Sequence, residues 1–222
     1  MAAQPFRDRA DAGRLLAERL VAEAAAGTVG ADAVVYGIPR GGVVVAAPVA
    51  RALAAPLDVV LVRKLGAPAH AEYAVGAIGE NVRVVDAAAV RGMGVGPEQL
   101  AFVEDLERVE LARRTRLFGG DGARADVRGR TAIVVDDGIA TGATATAACR
   151  VLRDRGAATV VLAAPVAPAQ WRPDRGIADL YVCLRPEREF WAVGQFYEDF
   201  TQTGDEEVAD LLRQHPAGGT PP

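Results

Sequence analysis

The chain has 222 residues, half of them hydrophobic and 24% charged, with a formal net charge of −4 and a pI near 5.3. That balance suits one folded α/β domain with a substantial core and excludes an intrinsically disordered chain. The acidity argues against a nucleic-acid-binding surface, and apolar runs broken by Gly, Pro or charge leave no transmembrane helix.

Residues 7–25 are predicted helical, with Leu15, Leu16, Leu20 and Val21 on one apolar face, and they show no apolar signal core; a cytoplasmic protein is expected. Ala31 to Tyr36 is predicted as the first core strand, followed by Gly37-Ile38-Pro39-Arg40-Gly41-Gly42. A Val/Ala-rich helix then runs to about Leu53, with Pro48 expected to kink or shorten it. Leu57 to Val62 is predicted as a second strand ending at Arg63-Lys64, and residues 73–85 as one or two more strands turning near Gly79-Glu80-Asn81. Pro97 to Phe118 is expected to be the most amphipathic helix, with Leu100, Val103, Leu106, Val109 or Glu110, and Leu111 recurring at helical spacing and the charges from Glu104 to Arg116 solvated. Gly119–Gly122 should break the chain. A strand at 133–135, a helix to Arg155 and strands at Thr159–Ala164 and Ala178–Leu184 complete a βα alternation, which implies a parallel sheet with helices on both sides. The tail from Pro216 to Pro222 is expected to be disordered.

Chemistry concentrates at residues 132–144, Ala-Ile-Val-Val-Asp-Asp-Gly-Ile-Ala-Thr-Gly-Ala-Thr. Three β-branched residues suit a strand buried on both faces, so Asp136 and Asp137 stand at its carboxyl end, where open α/β sheets place ligands. Gly138, Gly142 and the small residues between them let backbone N–H groups approach a ligand, and Thr141 and Thr144 add hydroxyls. Two acids for a polyol or metal, then an amide-lined loop on a helix N-terminus for a phosphate, describe a sugar-phosphate site. The bland alternative is an acidic strand end capping a helix; adjacent carboxylates repel, which disfavours it. The loop 37–42 should reach the same edge, with Arg40 offering a fork suited to phosphate oxygens. Cys149 and Cys183 lack metal-ligand spacing and are expected to be free thiols. His70 and His215 lie too far apart to suggest a histidine-rich metal site, and no nucleophile elbow is present.

The stretch from Val134 to Thr144 resembles the signature of the type I phosphoribosyltransferases, which bind 5-phosphoribosyl 1-pyrophosphate (PRPP). The resemblance implies an α/β fold, a parallel sheet flanked by helices with a small hood, in a single domain over 1–215. Its core would span about 28–165, with a hood from the N-terminal and 178–212 segments. It implies that Asp136 and Asp137 bond the ribose hydroxyls and serve Mg²⁺ indirectly, through ribose or water. Gly138, Ile139, Ala140, Thr141, Gly142, Ala143 and Thr144 would hold the 5-phosphate. Pro39, Arg40, Gly41, Gly42, Arg63 and Lys64 would contact pyrophosphate; Asp136, Asp137, Arg40 and Lys64 form the catalytic set. Residues 65–72 would supply a loop closing over the site. The segment from Asp179 to Tyr197 is similar to the hood of purine members, which makes Tyr181, Val182, Leu184, Phe190 and Trp191 candidates for holding a base.

The activity implied is pentosyl transfer: displacement of pyrophosphate from PRPP by a nitrogen nucleophile, a nucleobase or related heterocycle, in a homodimer with no nucleic-acid or membrane partner. Two positions depart from the 6-oxopurine enzymes. Ala140 stands where they carry a third acid, and Ala163-Ala164-Pro165 where they carry a base-reading Lys, so hypoxanthine and guanine are poor candidates. The alternative in another class is a regulatory protein that senses PRPP or a nucleotide without catalysis; a PRPP-forming kinase would need an ATP site.

Overall fold

A computed structural model describes residues 4–68, 70–118 and 125–215. The predicted break at 119–122 and the tail at 216–222 lie outside the described residues. In chain order the elements are α1 (Arg9–Ala25), β1 (Val34–Gly37), α2 (Gly41–Ala52), β2 (Leu57–Val59), β3 (Val62–Ala67), β4 (His70–Gly79), β5 (Val82–Val85), α3 (Ala87–Gly92), α4 (Pro97–Phe118), β6 (Thr131–Val135), α5 (Ala143–Asp154), β7 (Thr159–Pro168), β8 (Leu180–Glu187), a 3₁₀ turn (Val193–Phe196) and α6 (Asp205–Gln214).

Five strands pair in parallel in the order β2-β1-β6-β7-β8. The central strands carry apolar residues on both faces. Val34, Tyr36, Val134 and Leu162 face α5, while Val35, Ile133, Val135 and Val161 face α1 and α2. Period-2 alternation therefore feeds two cores, as a doubly covered sheet requires. β3, β4 and β5 form a separate antiparallel sheet.

The predicted strand over 57–62 is corrected here: it splits at Val60–Leu61, and its two halves belong to different sheets. The amide of Val60 donates to the Gly37 carbonyl, after which the chain leaves the parallel sheet and β3 pairs with β4. Arg63 and Lys64 thus lie near the start of an antiparallel strand rather than at a parallel strand's end. The turn between β4 and β5 falls at Glu80-Asn81, where Asn81 has φ +59°. α2 runs through Pro48 without ending, and α1 packs closely against it there. A Cβ on Gly13 would lie 2.7 Å from the Val45 carbonyl oxygen and 3.0 Å from Pro48.

The expected apolar face of α4 is also corrected. Leu100 and Phe118 are buried and Val103 and Leu111 pack on the core, but Leu106 and Val109 point to solvent, 57% and 70% exposed. Several of its charges are structural: Glu107 accepts from Arg63 and Glu104 from Arg83, tying α4 to the antiparallel sheet. β8 is the edge strand of the parallel sheet, paired with β7 from Leu180 to Glu187. Among the described residues no helix is long and apolar enough to cross a membrane.

Candidate functional site

β1 and β6 are neighbours in the parallel sheet, so the loops leaving their carboxyl ends meet at one edge. Together with Lys64 they line a cavity of about 300 Å³ that takes in Pro39, Arg40, Gly41, Asp136, Asp137, residues 138–142 and Thr144. Two helices, α2 and α5, begin at this cavity, so two helix N-termini converge on it. Among the described residues the amides of Ala140, Thr141 and Gly142 make no hydrogen bond to the protein, a set of orphan donors beside the positive end of α5.

The acidic pair is packed from behind by the loop after β1. A Cβ on Gly42 would sit 2.7 Å from the Val135 carbonyl oxygen, and one on Gly41 would collide with the Asp137 carboxylate. At Gly42 the obstacle is backbone, because the loop lies directly on the strand end; at Gly41 it is the Asp137 carboxylate and the Arg9 guanidinium, which would have to give way. Burial, together with the neighbouring Asp137 charge, holds the Asp136 carboxyl well above the usual carboxylate range. Burial raises Asp137 too, opposed by the Arg9 guanidinium, whose Nε donates to Asp137 Oδ2 at 2.7 Å. Arg9 is itself held: it lies 3.8 Å from the centre of the Phe200 ring and donates to the Thr201 carbonyl. The Tyr197 hydroxyl donates to the Asp137 carbonyl at 2.6 Å, and Phe6 forms a parallel β-bridge with Tyr197. The first helix and the segment after β8 thus close on the acid pair from one side.

The structure separates the sequence-predicted residues into two groups. Asp136, Asp137, Gly138, Ile139, Ala140, Thr141, Gly142, Thr144, Pro39, Arg40, Gly41 and Lys64 line the cavity, with Gly42 and Ala143 just behind, in the first turns of their helices. Arg63 does not: its Nε is paired with Glu107 on α4. Nor does any of the five expected base-holding residues. Val182 is buried in the core under α1 and α2, Leu184 packs on two core clusters, and Tyr181 packs edge-on to Trp171 with ring centres 5.3 Å apart. Phe190 packs on Phe196, and Trp191 is 90% exposed. The side chain that does reach the cavity from this region is Val193, over Gly138.

Gly142 is required for a reason the sequence did not suggest. It has φ +81°, and a Cβ there would run into the indole of Trp171. Its left-handed backbone and its indole neighbour add a structural requirement to the expected room for a phosphate. Arg9, Trp171 and Val193 were missed. For Trp171 a signal existed, a lone Trp in the loop after a strand of the same sheet; for Arg9, one charge on a solvated-looking helix, there was none.

Across the described residues no three His, Cys, Asp or Glu side chains cluster as a metal cage. The two carboxylates suit a hard cation that arrives with oxygen ligands of its own.

Comparison with known proteins agrees with the geometry. The family model of the phosphoribosyl transferase domain matches residues 11–201. A Mycobacterium tuberculosis protein whose name assigns it provisionally to the phosphoribosyl transferases is 50% identical over 212 residues, covering 93% of this chain and 46% of its own length. The chain therefore spans about half the length of the curated relatives it matches. A crystal structure of a Thermus thermophilus protein is 40% identical with TM-score 0.72, covering 96% of this chain and all of that one. A purine phosphoribosyltransferase of Pyrococcus horikoshii aligns at 17% identity and TM-score 0.43, covering 86% of this chain and 98% of its own. With a family match over most of its length and the signature loop in place on β6, this chain belongs to the phosphoribosyl transferase domain family, of the type I fold.

Proposed function

We propose that the chain transfers the 5-phosphoribosyl group of PRPP to a nitrogen nucleophile, a nucleobase or related heterocycle, with release of pyrophosphate. The observation that carries this reading is the sharing of one cavity by three kinds of group: orphan amides, two half-buried carboxylates and two cations, Arg40 and Lys64. PRPP presents a matching set, a phosphate, two ring hydroxyls and a pyrophosphate.

In this assignment the amides of 140–142 and the α5 N-terminus hold the 5-phosphate. Asp136 and Asp137 accept hydrogen bonds from the ribose hydroxyls. Arg40, Lys64 and the α2 N-terminus face the pyrophosphate, where charge accumulates as the bond from C1 to oxygen breaks and its electron pair departs. The nucleophile forms its bond to C1 from the opposite face, with inversion, and the protein contributes by fixing both partners in line. Ile139 and Val193 give the nucleophile's side an apolar wall that suits a flat ring better than a small amine. Asp136 and Asp137 would serve Mg²⁺ indirectly, through ribose or water oxygens, and when bound it would neutralise pyrophosphate charge.

A sensing role is favoured by one observation: Asp137 is already neutralised by Arg9, as a binding site with no turnover would tolerate. Incubation with PRPP, Mg²⁺ and a panel of bases, scored by pyrophosphate release and nucleotide formation, separates the two. Turnover with any base supports the transferase; PRPP binding without turnover across the panel rejects it for the sensor.

A further inference from the structure

Arg40 has an anionic partner already inside the chain. Its guanidinium lines the cavity, and its Nη1 also lies 3.6 Å from Oδ1 of Asp205, in the first turn of α6. That oxygen is buried and accepts no hydrogen bond, so the contact is a loose ion pair rather than a closed one. The other oxygen, Oδ2, is 3.7 Å from Arg113 on α4, whose guanidinium is already bonded twice to Glu110, at 2.7 and 3.0 Å. Asp205 is fixed where it stands: Val208 is fully buried, and Leu211 and Leu212 pack on the core cluster that α2 also enters. The N-terminus of α6 favours a carboxylate in this turn, where Glu206 and Glu207 add two exposed acids. Among the described residues the Arg40 guanidinium donates no hydrogen bond, whereas Arg9 is closed on Asp137 at 2.7 Å.

We propose that Asp205 is the internal counterion of Arg40, a positioning residue that holds the guanidinium in reserve at the cavity and sets how tightly pyrophosphate is bound. The inference rests on the assignment of Arg40 to the pyrophosphate. A carboxylate and a phosphate compete for the same guanidinium fork. An incoming pyrophosphate draws Arg40 from a partner that has not closed on it, so little is lost in the exchange. Asp205 is not orphaned when Arg40 turns away, because Arg113 stands at its other oxygen. The acid then remains as a negative charge close to a polyanion, and that like-charge repulsion weakens the bound state. The consequence falls on release. Affinity differences of this kind appear mostly in how fast a ligand leaves, and pyrophosphate must leave once per turnover.

Titration calorimetry of the intact chain with pyrophosphate and Mg²⁺, and separately with ribose 5-phosphate, tests this. Asp205→Asn should bind pyrophosphate about three- to tenfold more tightly, the scale of one partly exposed charge contact, and ribose 5-phosphate with unchanged affinity. Asp205→Ser, equally neutral, should repeat the gain, and Asp205→Glu should return the wild-type affinity. In an Arg40→Met background the gain should vanish, because the acid then has no guanidinium to hold. A merely structural Asp205 predicts the opposite sign, weaker binding of both ligands; circular dichroism checks that each variant is folded. Pyrophosphate affinity that is unchanged or lowered in the folded neutral variants overturns the proposal. So does an equal gain for ribose 5-phosphate, or a gain that survives Arg40→Met. A wild-type chain that binds neither pyrophosphate nor PRPP rejects the transferase reading, and this inference with it.

Discussion

Asp136 is held against its own interest. In the free protein it is half-buried beside a second carboxylate, and its pKa is raised by loss of solvent first and by Asp137 second. A raised folded-state pKa means the contribution to stability is complete below the unfolded value, about pH 4, and is lost as pH rises through the folded value. Asp136→Asn removes that loss. The variant without ligand should therefore match wild type in acid and melt higher than wild type at neutral pH, by about 2–4 °C for each 1 kcal/mol gained. The same change should weaken PRPP by about ten- to a hundredfold, since hydrogen bonds to a charged acceptor contribute about 1.5–3 kcal/mol. Differential scanning calorimetry across pH and titration calorimetry with PRPP check both halves. A variant less stable at every pH would show that the acid is structural. Arg9 makes the complementary case. Arg9→Met should raise the affinity of Asp137 for protons, since it removes the cation bonded to that carboxylate, and shift the acid limb of PRPP binding to higher pH. An unshifted limb would show that Arg9 does not tune the site.

At the scale of elements, the signature loop was legible because everything it needs is contiguous: a strand, two acids, small residues and a helix start within residues 131–154. The predicted β3 region was misread because Val59 and Val62 look alike in sequence, and only pairing decides which sheet each joins. The aromatics expected on the base side lie outside the cavity lining for the same kind of reason. Tyr181 and Phe190 have the composition of a stacking platform, but their rings are consumed by Trp171 and Phe196. α4 was half legible: its helical period was plain, but a helix with two apolar stripes does not announce which one is buried. Gly142 lends itself to a test at this scale. Gly142→Ala should destabilise the fold by about 1–3 kcal/mol through its left-handed backbone and the indole beside it. In a Trp171→Ala background the steric part should disappear and the backbone part remain, so urea denaturation of the four proteins should give a positive coupling. Strict additivity would show that Trp171 does not enforce the glycine.

For the whole molecule, the acceptor region is where sequence and structure agree on what is missing. Ala140 offers no acid, and Ala163 and Ala164 are fully buried in β7, so neither supplies a donor for a purine carbonyl. A buried carbonyl without a partner costs about 1–3 kcal/mol, which predicts hypoxanthine and guanine turnover at least tenfold below that of the true acceptor. Steady-state rates across a base panel check this, and equal rates for hypoxanthine and the best acceptor would refute it. The single break at Val60–Leu61 has a consequence of a different kind. It leaves Asp136 and Arg40 at the edge of the parallel sheet and puts Lys64 on the antiparallel one, so the leaving group would be gripped from both sheets at once. The register of one sheet on the other then becomes a determinant of how closely the two cations can follow the departing pyrophosphate.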